Sequence, residues 1–147
     1  MRVITRKLNW ETKVTPNEAY VAMSNLTPRL QEIAAETYVS NGTVTIFVPG
    51  TTAAVCTIEW EEGLLRDFES TWSRLVPRHL DYQHKFLWEQ NNAFSHIRAS
   101  MLGQSLVVPV VNRRLVLGQF QQVAFVEFDN RSRQREVVLQ FIGEQAG

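Results

Sequence analysis

From His96 to Gln122 the chain reads HIRASMLGQSLVVPVVNRRLVLGQFQQ, and the fold class follows from how this stretch is partitioned. After a turn at Gly103 come two apolar runs, Ser105–Val111 and Arg114–Gly118, joined at Asn112-Arg113. So short a connection pairs strands antiparallel, because parallel neighbours need a crossover of roughly a dozen residues or more. Two more strands are predicted beyond it, Phe120–Phe128 and Glu136–Ile142, with turn chemistry at Asp129-Asn130-Arg131-Ser132 between them. Phe120, Ala124, Val126 and Phe128 interleave with Val123, Phe125 and Glu127. A strand apolar on both faces is covered on both faces, which places Phe120–Phe128 centrally.

Working back toward the N-terminus, Ala53–Ile58 and Thr43–Pro49 are β-branched and apolar and read as strands, interrupted by Gly50-Thr51-Thr52. The interruption is short enough for a bend or bulge between neighbouring strands. Glu62–Leu75 sets Leu65, Phe68, Trp72 and Leu75 at three- and four-residue intervals, an amphipathic helix stopped by Val76-Pro77. A second helix starts at Thr27-Pro28 and lines up Leu30, Ile33, Ala34 and Tyr38, with Ser40-Asn41-Gly42 expected to stop it. Thr15-Pro16-Asn17-Glu18 signals a short helix through about Met23, and residues 2–10 suit an edge strand. Residues 77–95 show no periodicity and carry His79, Asp81, Tyr82, His84, Trp88 and Glu89; long loops of this kind often hold function.

The 147 residues are expected to form one domain, 1–147, with a single core. Fifteen basic and fifteen acidic side chains give a formal net charge of zero, so no long-range field draws nucleic acid or an anionic membrane. No run approaches the roughly 18 apolar residues of a membrane span, and the N-terminus lacks the apolar core of a signal peptide, so the expected location is the cytoplasm. Cys56 is the only cysteine and sits in an apolar run without a flanking base, as a packed thiol rather than a reactive one.

Chemistry is sought first at His84, His96 and Glu59, with Thr51, Thr52 and Gln121 as neighbours. Two imidazoles and a carboxylate bind a divalent metal or share acid and base duties near neutral pH. His84 and His96 as metal ligands, with zinc or magnesium as the cation, form one expectation; structural or surface histidines form the other, since a spacing of twelve matches no compact metal motif. Arg98, Arg113, Arg114, Arg131, Arg133 and Arg135 would suit a phosphorylated or other anionic ligand if several converge, and are otherwise solvated hairpin-tip side chains. No Gly-rich phosphate loop and no Ser-His-Asp context is present.

The ordered motifs resemble the YjbQ-like family, small proteins labelled secondary thiamine-phosphate synthases. The resemblance runs from about Thr27 to Gly143. Its carriers include Val44–Pro49 leading into Thr51-Thr52-Ala53-Ala54, Glu59, Tyr82-Gln83-His84, His96-Ile97-Arg98-Ala99-Ser100, Ser105–Val110, Leu115–Gly118, Gln121 and Arg135. It implies an α+β fold, an antiparallel β-sandwich or half-barrel with two or three flanking helices, assembled as a homotrimer with pockets near subunit boundaries. It also implies a histidine-rich pocket for a metal or an anion. The activity implied joins a pyrimidine methyl diphosphate to a thiazole phosphate, with His84, His96 and Glu59 catalytic and Thr51, Thr52, Arg98, Gln121 and Arg135 binding. The sequence departs from the family pattern at polar positions. Gly50 replaces the histidine that opens the first motif, Ile58 an asparagine, Lys85 an acidic residue, Phe120 a tryptophan and Arg113 a glycine. The alternative expectation is therefore a non-catalytic or altered-ligand trimer that binds a small molecule or anion.

Overall fold

The computed structural model describes residues 1–14, 21–85 and 91–146. In chain order they form β1 (Arg2–Glu11), β2 (Ala22–Asn25), α1 (Thr27–Thr37), β3 (Val39–Phe47), β4 (Ala53–Glu59), α2 (Glu62–Leu75), α3 (Ala93–Leu102), β5 (Ser105–Val111), β6 (Arg114–Leu115), β7 (Gln121–Glu127) and β8 (Gln134–Gln145). Every ladder is antiparallel, in one sheet ordered β1-β8-β3-β5-β6 and a second ordered β2-β7-β4. The expected α+β sandwich with flanking helices is what forms, with β1 on an edge and β7 in the centre of its sheet.

The period of two in the strands divides their side chains between core and surface. On β3, Val44 and Ile46 point inward with Val108 and Val110 of β5 and Leu139 and Phe141 of β8, while Thr43, Thr45 and Phe47 face out. β7 serves both of its faces. Val123 and Phe125 close the core between the sheets, capped by Leu30, Ile33 and Ala34 of α1. Ala124 is fully buried on the opposite face, where Val126 and the following Phe128 pack with Trp72 of α2 and Phe94 and Ala99 of α3. Each such aliphatic or aromatic side chain contributes about 1.5–3 kcal/mol on burial, so a strand buried on both sides anchors three layers: sheet, sheet and helix pair.

Several local expectations are corrected. α1 stops at Tyr38, which takes the left-handed conformation at φ 58°, and not at Asn41-Gly42, which lie inside β3. Gly42 is needed there for close approach: a Cβ on it would lie 2.1 Å from the Ile142 carbonyl oxygen of β8. Ala22 and Met23 belong to β2, paired with Glu127 and Val126, rather than to a helix. The rest of that helix expectation, at Thr15–Glu18, falls outside the described residues, as do Trp88 and Glu89. The strand expected over Arg114–Gly118 pairs only at Arg114 and Leu115. Asn112 and Arg113, both at positive φ, make the tight turn before it.

The largest correction is α3, which covers His96 and Arg98 and begins inside the stretch expected to be irregular. Its pattern is not amphipathic in the usual sense: Arg98 and Ser95 are buried while Ile97 and Met101 are exposed. Neither the Gly50-Thr51-Thr52 turn nor the Asp129–Ser132 turn closes a hairpin. β3 and β4 lie in different sheets, and so do β7 and β8. Both turns carry the chain between sheets, and they meet, the Phe128 N–H donating to the Thr52 carbonyl at 3.0 Å.

A candidate anion pocket at the sheet crossover

At these two crossovers the polar groups of the core collect. Glu127 and Asp129, at the end of β7, are each 1% exposed. A buried carboxylate requires partners, and both have them. Arg135 on β8 donates to Glu127 from Nε at 2.6 Å and from Nη2 at 2.5 Å, and Nη2 also donates to Thr52 Oγ1 at 2.7 Å. Thr12 Oγ1 adds a donor to Glu127 at 3.0 Å. Asp129 accepts from Arg133 Nε at 2.8 Å, from the Asn130 N–H at 2.8 Å and from Asn92 Nδ2 at 3.4 Å. Burial pushes the Asp129 carboxyl up, but the Asn130 N–H, the charge and hydrogen bond of Arg133 and the Thr52 hydroxyl outweigh it, so its pKa lies below the ordinary value.

The histidines stand in front of this network. α3 presents a half-buried His96 whose ring hydrogen-bonds to the Thr51 backbone. His84, from the segment after α2, meets it edge to face with ring centroids 4.8 Å apart. Burial first and the neighbouring His84 second lower the His96 pKa below 6.5; Arg133 adds to the lowering, while Asp129 and the Thr51 hydrogen bond oppose it. Thr51 is exposed on the turn and Thr52 buried behind it. Gly50 precedes them, and a Cβ built on it would lie 3.1 Å from Arg135 Nη1.

Within one chain, then, His84, His96, Thr51, Thr52 and Arg135 come together around Gly50, and the other three candidates do not. Glu59 pairs with Gln121 at the opposite end of the β4–β7 ladder, six residues from Ala53, or about 20 Å of extended strand. Gln121 bonds to Thr57 Oγ1 at 3.1 Å and receives the Gly118 N–H at 2.9 Å. It also lines a groove of about 390 Å³ with Cys56, Leu106 and Val108 that contains neither histidine. Arg98 is 1% exposed and turns away from the pocket, donating to the Val76 carbonyl at 3.0 and 2.8 Å and to the Trp72 carbonyl at 3.4 Å. It stacks over Phe94, and burial, then neighbouring Arg78, lower its pKa to about 10. Lys85 is exposed and ion-paired with Asp81 at 2.7 Å.

A divalent metal fits poorly. Among the described residues no three His, Cys, Asp or Glu side chains group so as to hold one. Asp129 is already engaged, and the nitrogen facing residue 50 is a guanidinium, which repels a cation. Asn92, Glu127 and Asp129 were not singled out from sequence, while Arg133 was named only as one of several arginines that would suit an anion if they converged. Glu127 carried a usable signal, because a lone charge inside the apolar run Val123–Phe128 must find a buried partner.

The sequence profile of the family described as UPF0047 protein YjbQ-like matches residues 11–144. The chain belongs to this family. A UPF0047 protein of Archaeoglobus fulgidus is 40% identical over 98 residues, covering 67% of this chain and 76% of the relative. Another, from Methanothermobacter thermautotrophicus, is 33% identical over 135 residues, covering 92% and 90%. Among solved structures, a YbjQ-like protein of unknown function from Sulfolobus solfataricus superposes with a TM-score of 0.85 at 24% identity over 97% of this chain and all of that one, a likeness of fold. A hypothetical protein from Aeropyrum pernix gives a TM-score of 0.81 at 30% identity, covering 95% and 99%. The family so defined fits the two-sheet sandwich described above.

Proposed function

We propose that this family member is a cytoplasmic homotrimer that binds a small phosphorylated or otherwise anionic ligand at the His84–His96 pocket, its ligand set altered from that of its relatives. One observation carries the reading: the histidine pair converges on the Gly50–Thr52 turn in front of Arg133 and Arg135, with donors from both sides and, among the described residues, no group of three metal-capable side chains. Such a set of N–H donors suits oxygen anions. No described helix is long and apolar enough to cross a membrane. The outer face of the five-stranded sheet leaves Val3, Phe47, Val107, Val111 and Ile142 exposed, an area that subunit contacts would cover.

The thiamine-phosphate synthase-type reaction is the finer alternative. Departure of diphosphate calls for converging cationic groups, commonly with Mg²⁺. Of the residues assigned to that task, Arg98 donates to carbonyls and Arg135 is paired with Glu127, so the geometry favours binding over this chemistry.

The test is thermal unfolding of untagged protein with phosphate or diphosphate, alongside metal analysis and light scattering. The proposal predicts a concentration-dependent rise in Tm with the anions, a mass of three chains and no retained zinc. Stoichiometric zinc would replace it with the metal reading. Turnover of the pyrimidine and thiazole substrates with Mg²⁺ would replace it with the synthase reading.

A further inference from the structure

The bare backbone at Gly50 is itself informative. Among the described residues, the only atom within 4 Å of a Cβ built there, beyond its chain neighbours, is Arg135 Nη1, at 3.1 Å. That guanidinium is held rigidly. Its side chain is 9% exposed, its Nε and Nη2 are bound to Glu127 and Thr52, and Nη1 is the nitrogen turned toward residue 50. One residue along, about 3.8 Å between Cα atoms, the Thr51 backbone carries the His96 ring, with His84 against it. A fixed N–H donor therefore faces the space that a side chain at position 50 would fill, and the imidazole pair is anchored at the next residue of the same turn.

We infer that the space over Gly50 is an oxyanion subsite that takes the terminal phosphoryl group of a small phosphate monoester, one oxygen on Arg135 Nη1 and another on the His96 imidazole. This deepens the anion-binding reading and rests on it. Charge bookkeeping sets the protonation of the bound state. Arg135 is matched by Glu127 and Arg133 by Asp129, so the pocket supplies donors without surplus positive charge. The groups facing His96 are His84 from the loop after α2, Asp129 and Arg133 from the β7–β8 crossover, and the Thr51 backbone from the β3–β4 crossover. An arriving phosphate dianion is balanced by a proton taken up from solvent onto the His96–His84 pair. Binding strengthens as the pH falls from 8 toward 6, on the order of the imidazole titration range.

The experiment is calorimetry of the full-length chain with methyl phosphate at pH 7.5, in two buffers of different ionisation enthalpy, for the native protein, Gly50→His and His96→Gln. Gly50 does not occupy the left-handed region, so a side chain is compatible with its backbone, and thermal unfolding checks that each variant folds. The native protein is expected to bind with net proton uptake. Gly50→His should weaken binding at least about tenfold, the worth of one charge-assisted hydrogen bond, and His96→Gln should lose the proton uptake. If the native protein does not bind methyl phosphate or inorganic phosphate, the anion reading itself fails. If it binds and folded Gly50→His binds equally well, the anion reading stands and the Gly50 subsite is overturned. Binding without proton uptake in the native protein overturns the role given to His96.

Discussion

Arg135 and Glu127, eight residues apart and on different sheets, close two hydrogen bonds of 2.6 and 2.5 Å with side chains only 9% and 1% exposed. They tie β8 of one sheet to β7 of the other at the point where the chain crosses between them. Replacing one member of a buried pair strands the other charge, which costs about 3–5 kcal/mol. Arg135→Met is therefore expected to lower unfolding free energy by that amount in urea. Arg135→Met combined with Glu127→Leu should lose much less. Equal losses in the single and double variants would mean that the pair does not act as a unit.

The His96 imidazole titrates below its ordinary value, through burial and then the neighbouring His84. A lowered histidine pKa means that the folded state binds fewer protons than the unfolded chain between the folded pKa and 6.5. Stability therefore falls as pH decreases through that window and is unaffected by this group well above 6.5. In an NMR titration the His96 midpoint should lie below 6.5, and His84→Gln should move it upward. A His96 midpoint at or above 6.5 would contradict the geometry of the pair.

Arg98 is expected to matter for stability and not for ligand affinity. Its hydrogen bonds to the Val76 and Trp72 carbonyls fasten α3 to the end of α2, and bonds from a charged donor are worth about 1.5–3 kcal/mol each. Arg98→Met should cost at least about 2 kcal/mol in urea unfolding, through loss of these bonds. Phosphate affinity, measured where the variant is folded, should stay within about twofold, since no pocket donor is removed. A selective loss of affinity would return Arg98 to the site.

Cys56 should be sluggish. Burial pushes its thiol up to about 11, so at neutral pH its thiolate fraction is about a hundredfold below that of a free cysteine. Alkylation by iodoacetamide should be slower by at least about that factor in the native protein and should recover on unfolding. Reaction at the rate of a free thiol would show that the β4 edge opens readily.

The strand content was legible because alternation and β-branched runs are local signals: β5, β7 and β4 emerge close to their predicted ranges. What the chain does between strands was not. The Gly50–Thr52 and Asp129–Ser132 turns have hairpin chemistry, yet each passes from one sheet to the other, a choice made by tertiary packing around Glu127 and Arg135. α3 was missed because its buried face includes Arg98, satisfied by carbonyls from a different helix, which no periodicity of apolar residues reveals. Of the pocket, the histidines and Thr51-Thr52 were readable as residue types. The carboxylates behind them became visible only once the crossovers had brought β7 and β8 together.

The central claim is that an oxyanion binds between the histidine pair and the Gly50 crossover. The most direct measurement is the imidazole NMR spectrum of the native protein, titrated with inorganic phosphate at constant ionic strength. The account predicts saturable resonance shifts for His96 and His84 and a raised midpoint for His96, with the resonances of exposed His79 unmoved. Identical small drifts of all three histidines, or none, would contradict it.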